Sequence, residues 1–261
     1  MPRSFCEAEW YWGDSSTSRG KNCCASQYGQ IKMKYSLKKT VVIGLGGSVI
    51  FPDEINSDLL VEWISFVKNY VKQYQFVIVM GGGRLARRYQ EAAKRVRPIT
   101  IREGDWLGIE ATRANAKLLQ TVFGSLADKK IIGSRESVKR LTKPVTIACG
   151  WTPGWSTDYI AGVLADTYHA GVTIMAGKPA FIYDKDPDVY KTAKQFTHLT
   201  WKEYEKLIPK KWIPGTHSPI DPICARFSRI HKISSIILDG TNMKNLDNLF
   251  SGKDFQGTLV E

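Results

Sequence analysis

Three glycine-rich segments are the residues of this sequence whose type and spacing best suit the binding of phosphate. They are Gly-Leu-Gly-Gly-Ser at 44–48, Gly-Gly-Gly-Arg at 81–84 and the longer segment 150–158, and each follows a short apolar run. Glycine lets backbone amide groups approach a phosphate closely, and a helix that begins at such a turn adds partial positive charge. These turns predict that the protein binds two phosphate-bearing ligands.

Arginines follow the second of these turns. Arg84 and Arg88 are four residues apart, which places them on one face of a predicted helix, and Arg87 lies beside that face. A planar guanidinium group grips phosphate with two parallel hydrogen bonds. One glycine-rich turn alone is as often a tight connection, and neither the Gly-x-Gly-x-x-Gly pattern nor the Walker pattern is present. Three turns together with the arginines favour phosphate binding.

Short apolar runs alternate with longer amphipathic stretches, and these elements must position the turns. The patterns predict strands at 40–45, 76–80, 130–132, 145–149, 172–176, 235–238 and 257–260, and helices over 59–74, 84–96, 105–123, 134–141, 157–169, 200–208 and 219–231. Strands separated by helices imply a mainly parallel sheet covered on both faces. We therefore predict an α/β fold, a three-layer αβα sandwich, with ligands bound at the carboxyl ends of its strands.

The charge of the chain is basic and clustered. There are 37 Lys and Arg against 25 Asp and Glu, a formal net charge of +12 over 261 residues. Half of this surplus lies in 84–102, which holds seven basic residues and one acidic residue. Clustering favours an anion site, with a solvated helix face as the alternative. Nucleic acid is disfavoured as a partner, because the sequence lacks a recognition-helix pattern, a zinc pattern and basic strands interleaved with aromatic residues.

The remaining composition predicts a folded cytoplasmic protein. A hydrophobic content of 43% can fill a core, and the longest apolar runs, of about five residues, are too short for a membrane-spanning helix. Five cysteines without disulfide or metal-ligand spacing predict reduced thiols, with Cys149 and Cys224 in the core. The four histidines show no metal spacing, and His217 alone is a site candidate.

The first 32 residues differ from the rest of the chain. They are rich in Ser, Gly, Trp and Cys and show neither helical nor strand periodicity. Met33 stands just before the first predicted strand. We therefore expect 1–32 to be a flexible extension or a mis-assigned start, and 33–261 to form the folded domain.

Several motifs occur in a fixed order along the chain. They are Gly-Gly-Ser at 46–48, Gly-Gly-Gly-Arg-Leu-Ala-Arg-Arg-Tyr at 81–89, Asp-Trp-Leu-Gly-Ile at 105–109, Thr-Arg-Ala-Asn-Ala at 112–116, Pro-Gly-Trp-Ser-Thr-Asp at 153–158 and Tyr-Asp-Lys-Asp-Pro at 183–187, followed by 198–200, 215–216 and 221–222. Over about residues 39–260 this combination resembles the UMP (uridylate) kinases of archaeal type, in the amino-acid kinase superfamily. The resemblance implies the fold of that superfamily and transfer of the γ-phosphoryl group of ATP to UMP, giving UDP and ADP. It also implies Mg²⁺ bridging the ATP phosphates and a homo-oligomer, usually a hexamer.

The resemblance further implies a role for each matching residue. The residues that would face the phosphates being exchanged are Gly46, Gly47 and Ser48. Those that would bind UMP are Gly82, Gly83, Arg84, Arg88, Asp105, Thr157 and Asp158, with Arg88 on the phosphate and Asp105 on the ribose. Those that would border the adenosine of ATP are Tyr183, Asp186 and Pro187. Helix capping is the alternative role for Asp105 and for Asp221, which precedes Pro222.

Two features depart from the family pattern. The family usually has Thr-Asn-Val-Asp-Gly-Val-Tyr on the ATP side, whereas this chain has Ala180 in place of the aspartate and Phe181 in place of a flexible glycine. The first strand also lacks the catalytic lysine that many superfamily members carry there. Lys178 is the candidate for the missing positive charge, from its position in the sequence alone. A catalytically impaired relative, which binds nucleotide or another anion without turnover, is therefore the alternative to a UMP kinase.

Overall fold

The computed structural model describes residues 33–210 and 218–261, so the predictions for 1–32 and for His217 lie outside it. The strands are β1 (Thr40–Leu45), β2 (Gln75–Met80), β3 (Val145–Ala148), β4 (Val172–Gly177), β5 (Ile182–Tyr183), β6 (Gln195–Phe196), β7 (His198–Leu199), β8 (Ser234–Asp239) and β9 (Thr258–Val260). The helices are α1 (Gly47–Ile50), α2 (Ser57–Tyr70), α3 (Gly83–Val96), α4 (Ile101–Phe123), α5 (Thr157–Thr167), α6 (Trp201–Leu207), α7 (Pro222–His231) and α8 (Met243–Phe250). In this part of the chain no helix is both long enough and apolar enough to cross a membrane.

Seven strands form one sheet in the order β3-β2-β1-β4-β8-β9-β7. The five strands from β3 to β8 run parallel, and β9 is antiparallel to β8. The remaining two strands, β5 and β6, pair as a separate antiparallel hairpin after β4. The chain moves from β1 outward to β2 and β3 and then returns to the other side of β1 with β4. The strand order therefore reverses between β1 and β4, which is where open α/β sheets form a ligand crevice.

Alternate side chains of the central strands enter two separate cores. Val41, Ile43 and Leu45 of β1 pack on the side of α2, α4 and α8, whereas Val42 packs on the side of α5, α6 and α7. Successive side chains of a strand point to opposite faces, so an uninterrupted apolar run is what a sheet buried on both faces requires. The predicted three-layer αβα sandwich is confirmed. Cys149 lies in the first core and Cys224 in the second, also as predicted.

The segment between α4 and β3 does not have its predicted structure. No helix covers 134–141, which contains only a 3₁₀ turn at Arg135–Ser137, and the strand predicted at 130–132 is a single bridge from Ile132 to Ala148. The Ser137 hydroxyl accepts hydrogen bonds from the backbone amides of Gly133 and Ser134. Such local side-chain bonds compete with helix formation, which explains why the apolar spacing misled the prediction.

Helix α4 begins four residues earlier than the pattern predicts. Thr100 is its N-cap, and Thr100 and Glu103 form a reciprocal capping box. Asp105 therefore lies inside the helix, and the suggestion that it caps α4 is wrong. Its carboxylate is therefore available to accept a hydrogen bond from another segment of the chain.

Candidate functional site

The three glycine-rich turns lie at the same edge of the sheet. Leu45 at the end of β1 is in register with Met80 of β2 and Ala176 of β4, and Val79 is in register with Ala148 of β3. The carboxyl ends of these strands therefore align, and each turn leaves the sheet beside the next one. The three turns thus lie at the carboxyl ends of the strands, which is where we expect ligands to bind.

A cavity of about 560 Å³ opens where the strand order reverses, between the ends of β1 and β4. The predicted site residues that line it are Gly46, Ser48, Thr157, Asp158, Lys178 and Pro187. Lys178 thus reaches the same cavity as the first turn, although it follows β4 in the chain. Three further polar residues that the sequence did not single out also line it, namely Asp188, Ser218 and Asp239. Asp239 was detectable in principle, because it stands at the carboxyl end of a parallel strand.

Gly47 joins the first turn to the second. A Cβ atom at Gly47 would overlap the Gly81 carbonyl oxygen and the Gly83 backbone nitrogen, so glycine is required for this contact. Gly83 itself has a φ of +57°, a conformation that glycine adopts without strain. The turn at 81–83 therefore packs against the turn at 46–48, and α3 begins where the two turns meet.

The first turn of α3 is suited to an anion. Its N-cap is Gly82, which has no side chain to bond the first backbone amides, and no acidic residue lies in the first turn. Amides at a helix N-terminus point outward and carry the positive end of the helix dipole. Arg84 and Arg88 extend from the same helix, and both contact Asp53 in the loop that follows α1.

Two polar residues of α4 hold the glycine-rich turns in place. The Asn115 side-chain amide donates to the Gly81 carbonyl oxygen at 2.9 Å, and the Thr112 hydroxyl accepts from the Gly150 backbone amide at 2.7 Å. Both side chains are buried, and they are three residues apart on one helix face. Two polar residues on the inward face of α4 are a signal that the sequence contained. The motif at 112–116 includes both residues but assigned a role to neither.

Asp105, the residue expected at the UMP ribose, contacts the third glycine-rich turn. Its carboxylate accepts a hydrogen bond from the Gly154 backbone amide at 2.8 Å. Burial raises the pKa of Asp105, and the Gly154 amide partly opposes that shift by stabilising the charged form. Asp105 therefore connects α4 to the segment that precedes α5.

The N-termini of α5 and α7 are tied together beside the cavity. Ser156 caps α5, and its hydroxyl group also donates to the Asp221 carboxylate, which caps α7 by accepting two backbone amides. The predicted capping role of Asp221 is confirmed. Asp158 lies in the first turn of α5, where burial and the nearby Asp221 carboxylate raise its pKa to about 7. Two carboxyl groups thus lie close together at the end of the sheet.

The residues expected near adenosine divide between the cavity and its support. Pro187 lines the cavity, whereas Tyr183 lies in β5 and pairs with Gln195. Asp186 is buried, and its carboxylate accepts from the Asp188 backbone amide at 2.8 Å, so it shapes the turn that presents Pro187. The sequence expectation of direct contact therefore suits Pro187 better than Asp186.

The two residues that depart from the family pattern, Ala180 and Phe181, leave the cavity open. Ala180 lines the cavity, but Phe181 is not among its described lining residues. The ring of Phe181 instead packs edge-on against Tyr183, with the ring centres 6.5 Å apart. The large side chain thus does not fill the space where a nucleotide would approach.

The described residues contain no group of three or more His, Cys, Asp or Glu side chains arranged to hold a metal ion. Three carboxylates do line the cavity, those of Asp158, Asp188 and Asp239. Mg²⁺ in phosphotransferases is usually bound by one or two carboxylates together with substrate phosphates and water. The donor set of the cavity fits that mode of binding.

Comparison with known proteins identifies the family. The sequence profile of the amino acid kinase family matches residues 39–239, most of the chain. The chain belongs to the amino acid kinase family. The fold expected from its motifs is therefore the one that this family shares, and the cavity lies at its strand ends.

Within the amino acid kinase family, this chain is similar to archaeal proteins named uridylate kinase. It is 35% identical to the one from Methanoregula boonei over 221 residues, covering 82% of this chain and 93% of that protein. It is 32% identical to the one from Methanocaldococcus jannaschii, covering 85% and 99% of the two chains. The resemblance predicted from the ordered motifs is confirmed.

Solved structures agree with this placement in the amino acid kinase family. The crystal structure of uridylate kinase from Archaeoglobus fulgidus matches with a TM-score of 0.73 and 30% identity, covering 88% of this chain and all of that one. The UMP kinase from Ureaplasma parvum matches with a TM-score of 0.65 at 17% identity, covering 86% and 99%, which supports the fold alone.

Proposed function

We propose that this protein is a UMP kinase, which transfers the γ-phosphoryl group of ATP to the 5′-phosphate of UMP and releases UDP and ADP. The observation that carries this proposal is the position of the cavity. Its wall includes Gly46 and Ser48, while Gly47 between them packs on the 81–83 turn. One polyanion can therefore bind in the cavity and another at the start of α3, with the first turn between them. Phosphoryl transfer asks a protein mainly for such alignment and for neutralisation of charge.

The acceptor side is the junction of α3, α4 and α5. We assign the UMP phosphate to the backbone amides of Gly82 and Gly83 and to the guanidinium groups of Arg84 and Arg88. Asp105 would accept a hydrogen bond from the ribose. Thr157 would contact UMP from the start of α5, and Asp158 is the second candidate for this contact. The bonds from Asn115 to Gly81 and from Asp105 to Gly154 support this assignment, because they connect the three elements to one another.

The donor side is the cavity between β1 and β4. We assign the ATP phosphates to the space beside Gly46, Gly47 and Ser48, and the adenosine to the segment with Tyr183, Asp186 and Pro187. Among the described residues that line the cavity, Lys178 is the one with a cationic side chain, so it is suited to stabilise negative charge on the transferred group. Mg²⁺, when bound with ATP, would neutralise phosphate charge, and Asp158, Asp188 and Asp239 are the carboxylates in reach of that space.

We also propose that the protein is a cytoplasmic homo-oligomer, with a hexamer as the number that the family resemblance implies. Within the described chain, no residue of helix α3 is fully buried. Large apolar side chains are exposed on and near it, namely Tyr89, Val96, Ile101 and Trp106. Large apolar side chains exposed on two helices that pack together favour a subunit interface. Light scattering coupled to size exclusion would give the number of subunits.

A steady-state assay tests the function. ATP would be supplied with UMP, CMP or another phosphate acceptor, and ADP release measured for each. We expect turnover with UMP and a requirement for Mg²⁺. Absence of turnover together with intact UMP binding would refute the kinase and favour the impaired relative. The open cavity beside Ala180 supports the active enzyme, since Phe181 does not obstruct it.

A further inference from the structure

The loop that follows α1 contacts the arginines of α3. The carboxylate of Asp53 forms an ion pair with the Arg84 guanidinium group, and its Oδ1 atom is 3.6 Å from Nη2 of Arg88. Arg88 also donates from Nη1 to the Asp53 backbone carbonyl oxygen at 3.0 Å. One loop residue thus engages both arginines that share this face of the helix.

The same loop makes a second contact with Arg88. The guanidinium carbon lies 5.8 Å from the centre of the Phe51 ring, within range of a cation–π interaction. The side chain of Asp53 remains 67% exposed, and those of Arg84 and Arg88 are 28% and 53% exposed. Ion pairs this exposed are weak, because water and salt screen them. The loop therefore binds the arginines weakly, and displacing it costs little free energy.

We propose that Asp53 is an internal competitor for the acceptor phosphate and thereby sets the affinity of the site for phosphorylated ligands. Its carboxylate occupies the guanidinium donors that a phosphate group would use, because both anions accept from the same planar fork. A ligand must displace Asp53 or bind beside its negative charge. Identification of the natural ligand as UMP rests on the proposed function, whereas competition with a phosphate group does not.

Competition of this kind weakens the binding of every phosphate-bearing ligand by about the same factor. Inorganic phosphate offers only its own charge and hydrogen bonds in exchange for the carboxylate. A nucleoside monophosphate adds contacts from its base and sugar, so it tolerates the same penalty. Asp53 therefore keeps the affinity for small anions low, whereas a nucleotide binds tightly enough through its additional contacts.

The test compares Asp53→Asn with Glu54→Gln in the full-length protein. Both variants remove one negative charge from the same exposed loop, but it is Asp53 that contacts the arginines of α3. The Kd for inorganic phosphate would be measured by titration calorimetry, and the KM for UMP by the kinase assay. We expect Asp53→Asn to lower both by roughly fivefold, the scale of an exposed charge interaction, and Glu54→Gln to change them far less. The difference should shrink in high salt.

Three outcomes would overturn the proposal. A rise in both constants would show that Asp53 orients the arginines instead of competing for them. Unchanged constants would show that the contact does not affect binding, and equal effects in the two variants would reduce it to general loop charge. Failure of the proposed function gives a different result, since the wild-type protein would then not turn over UMP while the phosphate titration still compares the two variants. Thermal melting would confirm that both variants are folded.

Discussion

The Asp105 carboxylate of α4 accepts a hydrogen bond from the Gly154 backbone amide at 2.8 Å, across 49 positions of sequence. This bond fixes the segment before α5 relative to α4. On the proposed function, the same carboxylate faces the ribose of UMP, so it both closes the turn and contacts the acceptor.

Replacing Asp105 separates these two contributions. We expect Asp105→Ala to raise the KM for UMP by about tenfold, because a charged hydrogen-bond partner is lost. Asp105→Asn keeps an oxygen acceptor for Gly154 and should retain the fold while losing the charge. Steady-state kinetics with both variants is the measurement. An unaltered KM in both would place the ribose contact elsewhere.

The arginines of α3 can be assigned by single substitutions. We expect Arg88→Ala to raise the KM for UMP by about tenfold or more, since a guanidinium–phosphate contact is charge-assisted. Arg87→Ala, one position along the same helix, is the comparison variant. If Arg87→Ala alone raises the KM, the phosphate contact lies one residue earlier than the motif implies, and Arg88 serves mainly to hold the 51–56 loop.

Asn115 should matter for stability as well as for binding. Asn115→Ala leaves the Gly81 carbonyl oxygen without its buried donor, which we expect to cost about 1–3 kcal/mol of unfolding free energy. The KM for UMP should rise too, because the 81–83 turn loses its support. Urea unfolding and kinetics measure the two effects. A loss of stability with no change in KM would mean that the turn keeps its shape without this bond.

Lys178 is expected to act on the chemical step. Lys178→Met preserves the length of the side chain and removes its charge, so kcat should fall by roughly 10²–10³-fold, as for loss of one transition-state stabiliser. Lys194→Met is the matched control, because Lys194 directly precedes β6 of the hairpin and does not line the cavity. Equal kcat values for wild type and Lys178→Met would remove Lys178 from the mechanism.

Asp158 should make stability depend on pH near neutrality. Its pKa is raised from 3.8 to about 7 by burial first and by Asp221 second. A carboxyl group with a raised folded-state pKa favours the folded state below its unfolded value and loses that contribution as pH rises through the folded value. Between pH 5 and 8, the stability of the wild type should therefore fall relative to Asp158→Asn.

Asp128→Asn is the control for this pH dependence. Asp128 is a buried carboxyl group whose pKa is lowered instead. Burial raises this pKa, but Lys139 and neighbouring hydrogen bonds outweigh burial and hold the pKa below 3.8. Its contribution is lost only in acid, so its substitution should not change the slope between pH 5 and 8. Melting temperatures measured across this range would contradict the assignment if both variants gave the same slope as the wild type.

The primary sequence by itself determined the layers of the fold and the chemistry of its edge. Uninterrupted apolar runs such as Phe76 to Met80 specify strands buried on both faces, and glycines after them permit the backbone to approach phosphate. These are local properties, since side-chain period and backbone freedom depend on neighbouring residues. The misplaced helix at 134–141 shows the limit of periodicity where serine side chains bond the backbone instead.

The tertiary structure alone decided which distant residues meet. Asp53 reaches Arg84 and Arg88, Asn115 reaches Gly81, and Phe181 turns toward Tyr183 and away from the cavity. None of these contacts follows from residue type or spacing, because each depends on strand register and on the packing of helices that are far apart in the chain. The sequence therefore predicted a phosphate-binding edge, whereas packing determined which side chains support this edge, which line its cavity and which contact its arginines.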